Sequence, residues 1–253
     1  MNNLKKILFW IILSLSLFLI LVLNFLSNHF IPASIQHDYF YLVFSHPNPV
    51  RMYLSNFIHI SPDHIRDNIF RFLAFSCGIY IIEFIIRPWF GFEEDEDPFV
   101  EFAGLFITAL PFLISVTTMV IGSQSGFSES LGFSGMVWAL AGYLLYDSLA
   151  ICDSGKKTHR IPVLIADVCE YGIYFIIALL FVLIFFGYLT PSVPISEIKI
   201  HENIAGHVTG FSFGLLMPWI IRYRISHSLD RVLFYLVILF VLSLCTMMAF
   251  PYT

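Results

Sequence analysis

Seven apolar stretches dominate the sequence, and each comes close to the roughly 20 residues that a helix needs to cross the hydrocarbon core of a bilayer. Hydrophobic residues make up 58% of the chain and charged residues 12%, whereas a soluble domain is typically about 45–50% apolar and about 25% charged. No polar block between the stretches is long enough for a separate soluble domain. The sequence therefore predicts an all-α, polytopic membrane helical bundle. Its predicted spans are about 7–27, 64–87, 99–121, 132–151, 171–189, 203–222 and 231–250.

Lysine and arginine are unequally shared between the segments that join these spans. If the N-terminus is cytoplasmic, nine of them fall on the cytoplasmic side, and only Arg51 and Lys199 fall on the other. Because positive residues concentrate on the cytoplasmic side, we expect the N-terminus inside and the C-terminus outside. A prokaryotic cell membrane is expected, since no organellar targeting segment or appended cytosolic domain is evident.

The first loop, about 28–60, is rich in aromatic residues, histidine and proline. It is too apolar for a free linker and too interrupted by proline to cross the membrane. The composition predicts an interfacial, partly helical hairpin. The second span is then predicted to open with Ser61 as the N-cap and Pro62 at the first helical position.

Spans two, four and six run in the same direction in this topology, from the outer face inward. His64 and Asn68 lie in the first two turns of span two, Ser134 lies at the head of span four, and His207 lies about one turn into span six. At a rise of about 1.5 Å per residue, these four side chains fall at similar depth. This is the arrangement that a single site opening to the outer face requires.

Ser134 is the candidate nucleophile and His207 the candidate base, because a serine hydroxyl needs a neighbouring group to accept its proton. A serine in an apolar helix more often bonds back to its own backbone, and a strip of glycines more often serves packing alone. Here, however, two such strips can bring the helices close enough for a hydrogen bond of roughly 2.6–3.2 Å. The strips are Gly135, Ala139 and Gly142 after the serine, and Gly206, Gly210 and Gly214 around the histidine.

Further residues fit the same site. Trp138, one turn beyond Ser134, can pack against the imidazole of His207. His64 and Asn68 are four residues apart, so they share a helix face, and both can donate hydrogen bonds. With the Ser134 backbone N–H at a helix N-terminus, they would form an oxyanion hole for acyl transfer.

His201 and Glu202, which precede His207, suggest a zinc site as an alternative interpretation. A zinc-binding HExxH motif needs histidines four residues apart on one helix face, whereas His201 and His207 are six apart. We therefore predict no metal and no cofactor. The four cysteines show no CxxC spacing, and no Lys/Arg cluster is large enough for a nucleic-acid footprint.

Taken together, these motifs resemble those of the rhomboid family of intramembrane serine proteases. The resemblance rests on GFSG at Gly132–Gly135, on HxxGxxxG at His207, Gly210 and Gly214, on HxxxN at His64 and Asn68, and on Arg51 in the first loop. It implies a six-helix catalytic core, residues 1–222, and an extra C-terminal transmembrane helix within 223–253.

The resemblance also implies a serine endopeptidase with a Ser134–His207 dyad and no third acid. Its substrates would be transmembrane segments of single-pass proteins, reached within membrane lipid. Span five commonly governs access in that family, with Phe175, Phe181 and Phe185 as gate candidates here. The alternative is a catalytically silent relative that binds membrane clients, which would typically lack the serine or the histidine. A transporter or channel would predict paired charges deep in several spans or an inverted repeat, and the sequence shows neither.

Overall fold

The structure, a computed structural model, describes residues 2–59, 62–90, 98–124, 129–157 and 204–224. Within these ranges the chain is mostly helical. Its helices are α1 (Asn2–Phe30), α2 (Ala33–Phe40), α3 (Pro49–Leu54), α4 (Pro62–Ile81), α5 (Arg87–Phe90), α6 (Phe99–Thr108), α7 (Leu110–Gln124), α8 (Ser134–Lys157) and α9 (Ile204–Arg224). Two short strands, β1 (Leu42–Val43) and β2 (Glu129–Ser130), pair antiparallel.

Three described helical segments are long and apolar enough to cross a membrane: Lys5–Ser27, Pro62–Ile86 and Ser134–Ile151. A fourth is added if α6 and α7 are counted as one bent span. The coarse prediction of a helical protein with several helices long and apolar enough to span a membrane is therefore confirmed. The predicted spans at about 171–189 and 231–250 lie outside the described residues, so the six-plus-one arrangement stays a prediction.

Helix α8 is the central helix of the described bundle. Of the residues in its apolar window, 67% are buried, against 22% for α1 and 28% for α4. The ring of Tyr143, in the middle of α8, stacks on Phe102 of α6 with ring centroids 4.3 Å apart. Phe133, just before α8, packs on Phe57 and Phe72. Because aromatic pairs contribute beyond the area they bury, these contacts fix how α8 sits among its neighbours.

Helix α4 begins at Pro62, as the sequence predicts; Ser61 lies outside the described residues. After Ile81 the helix widens into a π-helical segment, Ile82–Ile86, and continues as α5. The Arg87 N–H donates to the Ile82 carbonyl, which is the i→i+5 bond of that geometry. Glu83 and Arg87 are buried there, at the end of the second predicted span.

The third predicted span, about 99–121, is broken rather than continuous. Helices α6 and α7 meet at an angle of 53°. Pro111 explains the break, because proline lacks an N–H and its ring clashes with the carbonyl four residues earlier. The Pro111 carbonyl accepts a hydrogen bond from Asn56 Nδ2 at 3.0 Å, which ties α7 to the first loop.

The first loop is partly helical, as expected, and consists of α2, β1, α3 and a 3₁₀ turn at Ser55–Phe57. Asn48 caps α3: its side-chain oxygen accepts the Arg51 N–H at 2.9 Å, and Pro49 follows at the first helical position. The Arg51 side chain donates to the carbonyls of Asp38 and His46, at 2.5 and 3.2 Å. Arg51 therefore ties the loop segments together.

Candidate functional site

Ser134 is the first residue of α8 and lies just after a tight turn. Gly132 has φ +130°, a backbone conformation that side-chain-bearing residues rarely adopt. Its N–H donates to the Ser55 carbonyl at 2.9 Å, which joins the turn to the first loop. The serine itself is buried. Because it starts the helix, its own N–H lacks an intrahelical acceptor and points toward the N-terminal end of α8.

Helices α8 and α9 pack backbone against backbone next to this serine. A Cβ built on Gly210 would overlap the Gly135 carbonyl oxygen, and one built on Gly214 would overlap that of Ala139. In the other direction, a Cβ on Gly142 would overlap the Phe211 carbonyl, and one on Gly135 would lie 2.9 Å from the Gly206 oxygen. The glycine strips noted in the sequence therefore form one continuous helix–helix contact, and His207 lies on α9 between its first two glycines.

His207 faces the same region as Ser134. Its ring centroid lies 5.9 Å from that of Trp138, one turn beyond the serine on α8. Two residues of α4, His64 and Arg71, are close enough to act electrostatically on the imidazole. Within the described residues, no hydrogen bond joins the Ser134 hydroxyl to His207. The helices thus bring the two side chains into one neighbourhood without forming the bond that the sequence reading anticipated.

Helix α4 supplies the remaining predicted residues. A Cβ on Gly132 would lie 3.7 Å from His64 Cε1 and 3.9 Å from Ser134 Oγ, so the imidazole and the hydroxyl line the same space. Asn68 is fully buried, one turn further along α4. Its Nδ2 lies 2.9 Å from Nε2 of His59. Thus α4 and α9 both meet α8 near its N-terminal end.

The sequence analysis did not predict His59 as a site residue, although the structure places it between Asn68, His64 and the turn before Ser134. It lies between the 3₁₀ turn and α4, and its side chain contacts Asn68, the ring of His64 and the Phe133 backbone. Burial, and then the neighbouring His64, lower the pKa of His59 to about 3, so its ring is neutral at physiological pH. The available signal was a third histidine five residues before His64, but its partner Phe133 lies 74 positions away.

The segment before Ser134 is also held from the first loop. Strand β2 pairs with β1 through Leu42 opposite Ser130 and Val43 opposite Glu129. A hydrogen bond reinforces the contact, because His37 Nε2 of α2 lies 2.9 Å from Glu129 Oε2. Burial, and then the Glu129 carboxylate, raise the pKa of Tyr41. The first loop therefore positions the turn that carries the serine.

Several predicted residues cannot be located. The gate candidates Phe175, Phe181 and Phe185 lie outside the described residues, as do His201 and Glu202. In the ranges that the structure describes, no three His, Cys, Asp or Glu side chains come together as ligands for a metal ion.

Comparison with known proteins adds no assignment to this geometry. No protein-family model matches the chain, and no curated protein matches it significantly. The function is therefore inferred from the residues of the site and from their arrangement.

Proposed function

We propose that the protein is an intramembrane serine endopeptidase of the rhomboid type, which cleaves transmembrane segments of single-pass proteins. The observation that carries this proposal is that three helices bring His64 and Asn68, Ser134, and His207 to the N-terminal end of α8. These are the residue types that acyl transfer requires: a hydroxyl nucleophile, an imidazole base and hydrogen-bond donors for an oxyanion.

In the proposed mechanism, Ser134 Oγ attacks the carbonyl carbon of the scissile peptide bond while His207 accepts the hydroxyl proton. His207 then gives this proton to the leaving amine, and the acyl-enzyme remains on Ser134. Water, deprotonated by the same imidazole, hydrolyses the ester and restores the serine. The mechanism uses no third acid, and the Trp138 ring, whose centroid lies 5.9 Å from that of His207, is the group that packs near the imidazole.

The developing oxyanion would be met by His64, by Asn68 and by the Ser134 N–H. Asn68 uses its Nδ2 on His59 and makes no other side-chain hydrogen bond within the described residues, so one of its two amide hydrogens remains for a ligand. The Ser134 N–H lies at a helix N-terminus, where the helix dipole favours negative charge. Losing one such donor typically costs about 10²–10³ in kcat.

The missing Ser134–His207 hydrogen bond fits an enzyme without substrate, because catalytic hydrogen bonds are often long or poorly aligned until the substrate is bound. The same observation favours the alternative, a catalytically silent protein that binds membrane clients. The two proposals differ in whether the Ser134 hydroxyl reacts covalently with a substrate.

The rest of the proposal follows the sequence. The chain would form a six-helix core with one added C-terminal helix in a prokaryotic cell membrane, with the N-terminus cytoplasmic and the C-terminus outside. The site would open to the outer face, and it would act on membrane-embedded protein partners without a metal, a cofactor or nucleic acid.

A reactive-serine experiment tests the proposal. Detergent-solubilised protein is treated with a fluorophosphonate probe, and adduct formation is mapped by mass spectrometry, in parallel with cleavage of a model transmembrane substrate containing helix-breaking residues. We expect labelling at Ser134, and Ser134→Ala and His207→Ala should each abolish labelling and cleavage while the protein remains folded. Cleavage that persists in Ser134→Ala would exclude the serine mechanism, and its loss on addition of EDTA would favour a metal. A folded protein with neither labelling nor cleavage would favour the client-binding alternative.

A further inference from the structure

His59 makes contacts that its place in the sequence does not suggest. It lies in the short segment between the 3₁₀ turn and α4, with only 3% of its surface exposed. Its Nε2 meets two N–H groups, Asn68 Nδ2 at 2.9 Å and the Phe133 backbone N at 3.3 Å. One ring nitrogen thus joins α4 to the residue that precedes the candidate nucleophile.

The Phe133 amide determines the protonation of this ring. A backbone N–H can only donate, so His59 Nε2 must accept and cannot carry a proton. The neutral ring then holds its proton on Nδ1. Because Nε2 is an acceptor, the atom of Asn68 that faces it must be the donor Nδ2 and not the carbonyl oxygen. The backbone therefore fixes the histidine tautomer, and the tautomer fixes which way the Asn68 carboxamide points.

Asn24 of α1 holds His59 in place. Its Oδ1 accepts the His59 N–H at 2.8 Å, and its Nδ2 donates to the carbonyls of Phe57 and Ile20 at 2.7 and 2.6 Å. All of these groups are buried, where an unpaired polar group is costly. His59 is therefore held on two sides: Asn24 of α1 binds its backbone N–H, and Asn68 of α4 binds its imidazole.

We propose that His59 is a positioning residue for the Asn68 carboxamide. The proposal rests on the proposed function, since it assigns a role within that reaction. With His59 in place, Asn68 can offer its second N–H to the oxyanion. Without it, the carboxamide is free to turn, and its oxygen would face the developing negative charge. The loss should therefore appear in kcat, where the oxyanion forms, and not in KM.

Two variants of His59 separate positioning from bulk packing. His59→Leu removes the acceptor, whereas His59→Gln restores a side-chain oxygen at about the position of Nε2. We expect His59→Leu to lower kcat about 10²-fold with KM unchanged, and His59→Gln to stay within about fivefold of the wild type. Tyr143→Phe is the matched control, because it removes another buried hydrogen bond, to Glu83 Oε1 at 2.6 Å, from a distant part of α8. This control should leave kcat unchanged. A folded His59→Leu protein with wild-type kcat overturns the proposal.

A double-mutant cycle tests whether His59 acts through Asn68. In an Asn68→Ala background there is no carboxamide to orient, so His59→Leu should lower kcat by no more than about threefold. If it lowers kcat as much in that background as in the wild type, His59 acts by another route and the proposal fails.

The bridge has a readout in the wild-type protein that needs no catalysis. Nitrogen-15 NMR of histidine-labelled protein should show His59 as the neutral Nδ1–H tautomer, with Nε2 unprotonated. A proton on Nε2 overturns the proposal even if His59→Leu fails to fold. If the NMR result is as expected but no Ser134-dependent cleavage is found, the proposed function fails and the His59–Asn68 bridge stands as a structural feature.

Discussion

Two sets of buried polar side chains lie along the contact between α4 and α8, one near each end. The two sets differ in whether their members carry charge. At the N-terminal ends of the helices lies the candidate site, with Ser134, Asn68 and histidines. Toward their C-terminal ends lies a charged cluster, which consists of Glu83, Arg87, Tyr143 and Asp147. The separation along α8 from Ser134 to Asp147 is about 20 Å at 1.5 Å per residue. The same pair of helices therefore carries two buried polar sites that can be compared directly.

The members of the charged cluster contact one another. Arg87 Nε donates to Asp147 Oδ1 at 2.8 Å and lies 3.6 Å from Glu83 Oε2, and the Tyr143 hydroxyl donates to Glu83 Oε1 at 2.6 Å. Opposite charges meet there and hydrogen-bond to one another, which offsets part of the cost of burying them.

The candidate site is arranged differently. Its His59 ring is neutral, and neither the Ser134 hydroxyl nor the His207 ring makes a hydrogen bond to another described residue. Its geometry is set by glycine contacts and by one histidine bridge instead of ion pairs. The comparison teaches that burial of polar groups does not by itself indicate function. The distinguishing feature is whether the donors and acceptors are already used within the protein.

The largest expected effect comes from the glycine contact. In Gly210→Ala the new methyl group overlaps the Gly135 carbonyl, which cannot move without displacing α8 or α9. We expect a loss of roughly 3 kcal/mol or more in the free energy of unfolding, and at least a 10²-fold loss of kcat in the remaining folded protein. Unfolding in mixed micelles and initial rates of cleavage measure the two effects.

Gly104→Ala is the matched control for that substitution. Gly104 also lies in an apolar helix, α6, but no atom comes within 4 Å of its added Cβ. Alanine should leave activity unchanged and stabilise the helix by up to about 1 kcal/mol. Equal losses in the two variants would mean that α8 and α9 do not pack as closely as the structure shows, and would remove the basis for bringing His207 near Ser134.

The charged cluster should respond in stability alone. Arg87→Met leaves the buried carboxylates of Glu83 and Asp147 without their cation, and removing one member of a buried ion group typically costs about 3–5 kcal/mol. The folded fraction should cleave with wild-type kcat, because the site lies at the other end of the helices. Unfolding curves and active-site titration with the serine probe separate the two quantities.

An exposed ion pair in the first turns of α4 serves as the control for Arg87. Arg66 pairs with Asp63 at 3.3 Å, with 74% of its side chain exposed. Arg66→Met should change the free energy of unfolding by no more than about 0.5 kcal/mol. If Arg87→Met lowers kcat in proportion to the loss of stability, the two polar sites are coupled. The prediction that the charged cluster affects stability alone would then be wrong.

The sequence predicts the helix packing at the candidate site better than it predicts the charged cluster. Local signals were sufficient for the start of α4 at Pro62 and for the glycine strips, because proline and small residues act on their immediate surroundings. The break at Pro111 had an equally local signal that the length of the apolar stretch outweighed. The charged cluster was missed since Arg87 and Asp147 are 60 positions apart and meet only after two helices pack. His59 was missed for the same reason, because its tautomer depends on the Phe133 amide.

The smallest effect concerns pH and isolates the neutral character of the candidate site. The pKa of His59 is lowered to about 3 in the folded protein, from an ordinary value near 6.5. Between these values the unfolded chain binds a proton that the folded protein does not, so stability is fully present above about pH 6.5 and falls as the pH drops toward 3. This linkage predicts a loss of about 2 kcal/mol in the free energy of unfolding between pH 7 and pH 5.

Carboxylates such as those of the charged cluster also titrate on acidification. The measured quantity is therefore the difference in unfolding free energy between the wild type and His59→Gln. The glutamine does not titrate, so its unfolding free energy should fall less over this range. Parallel curves for the two proteins would mean that His59 binds its proton while folded, which would make Nε2 a donor and would contradict its contact with the Phe133 amide.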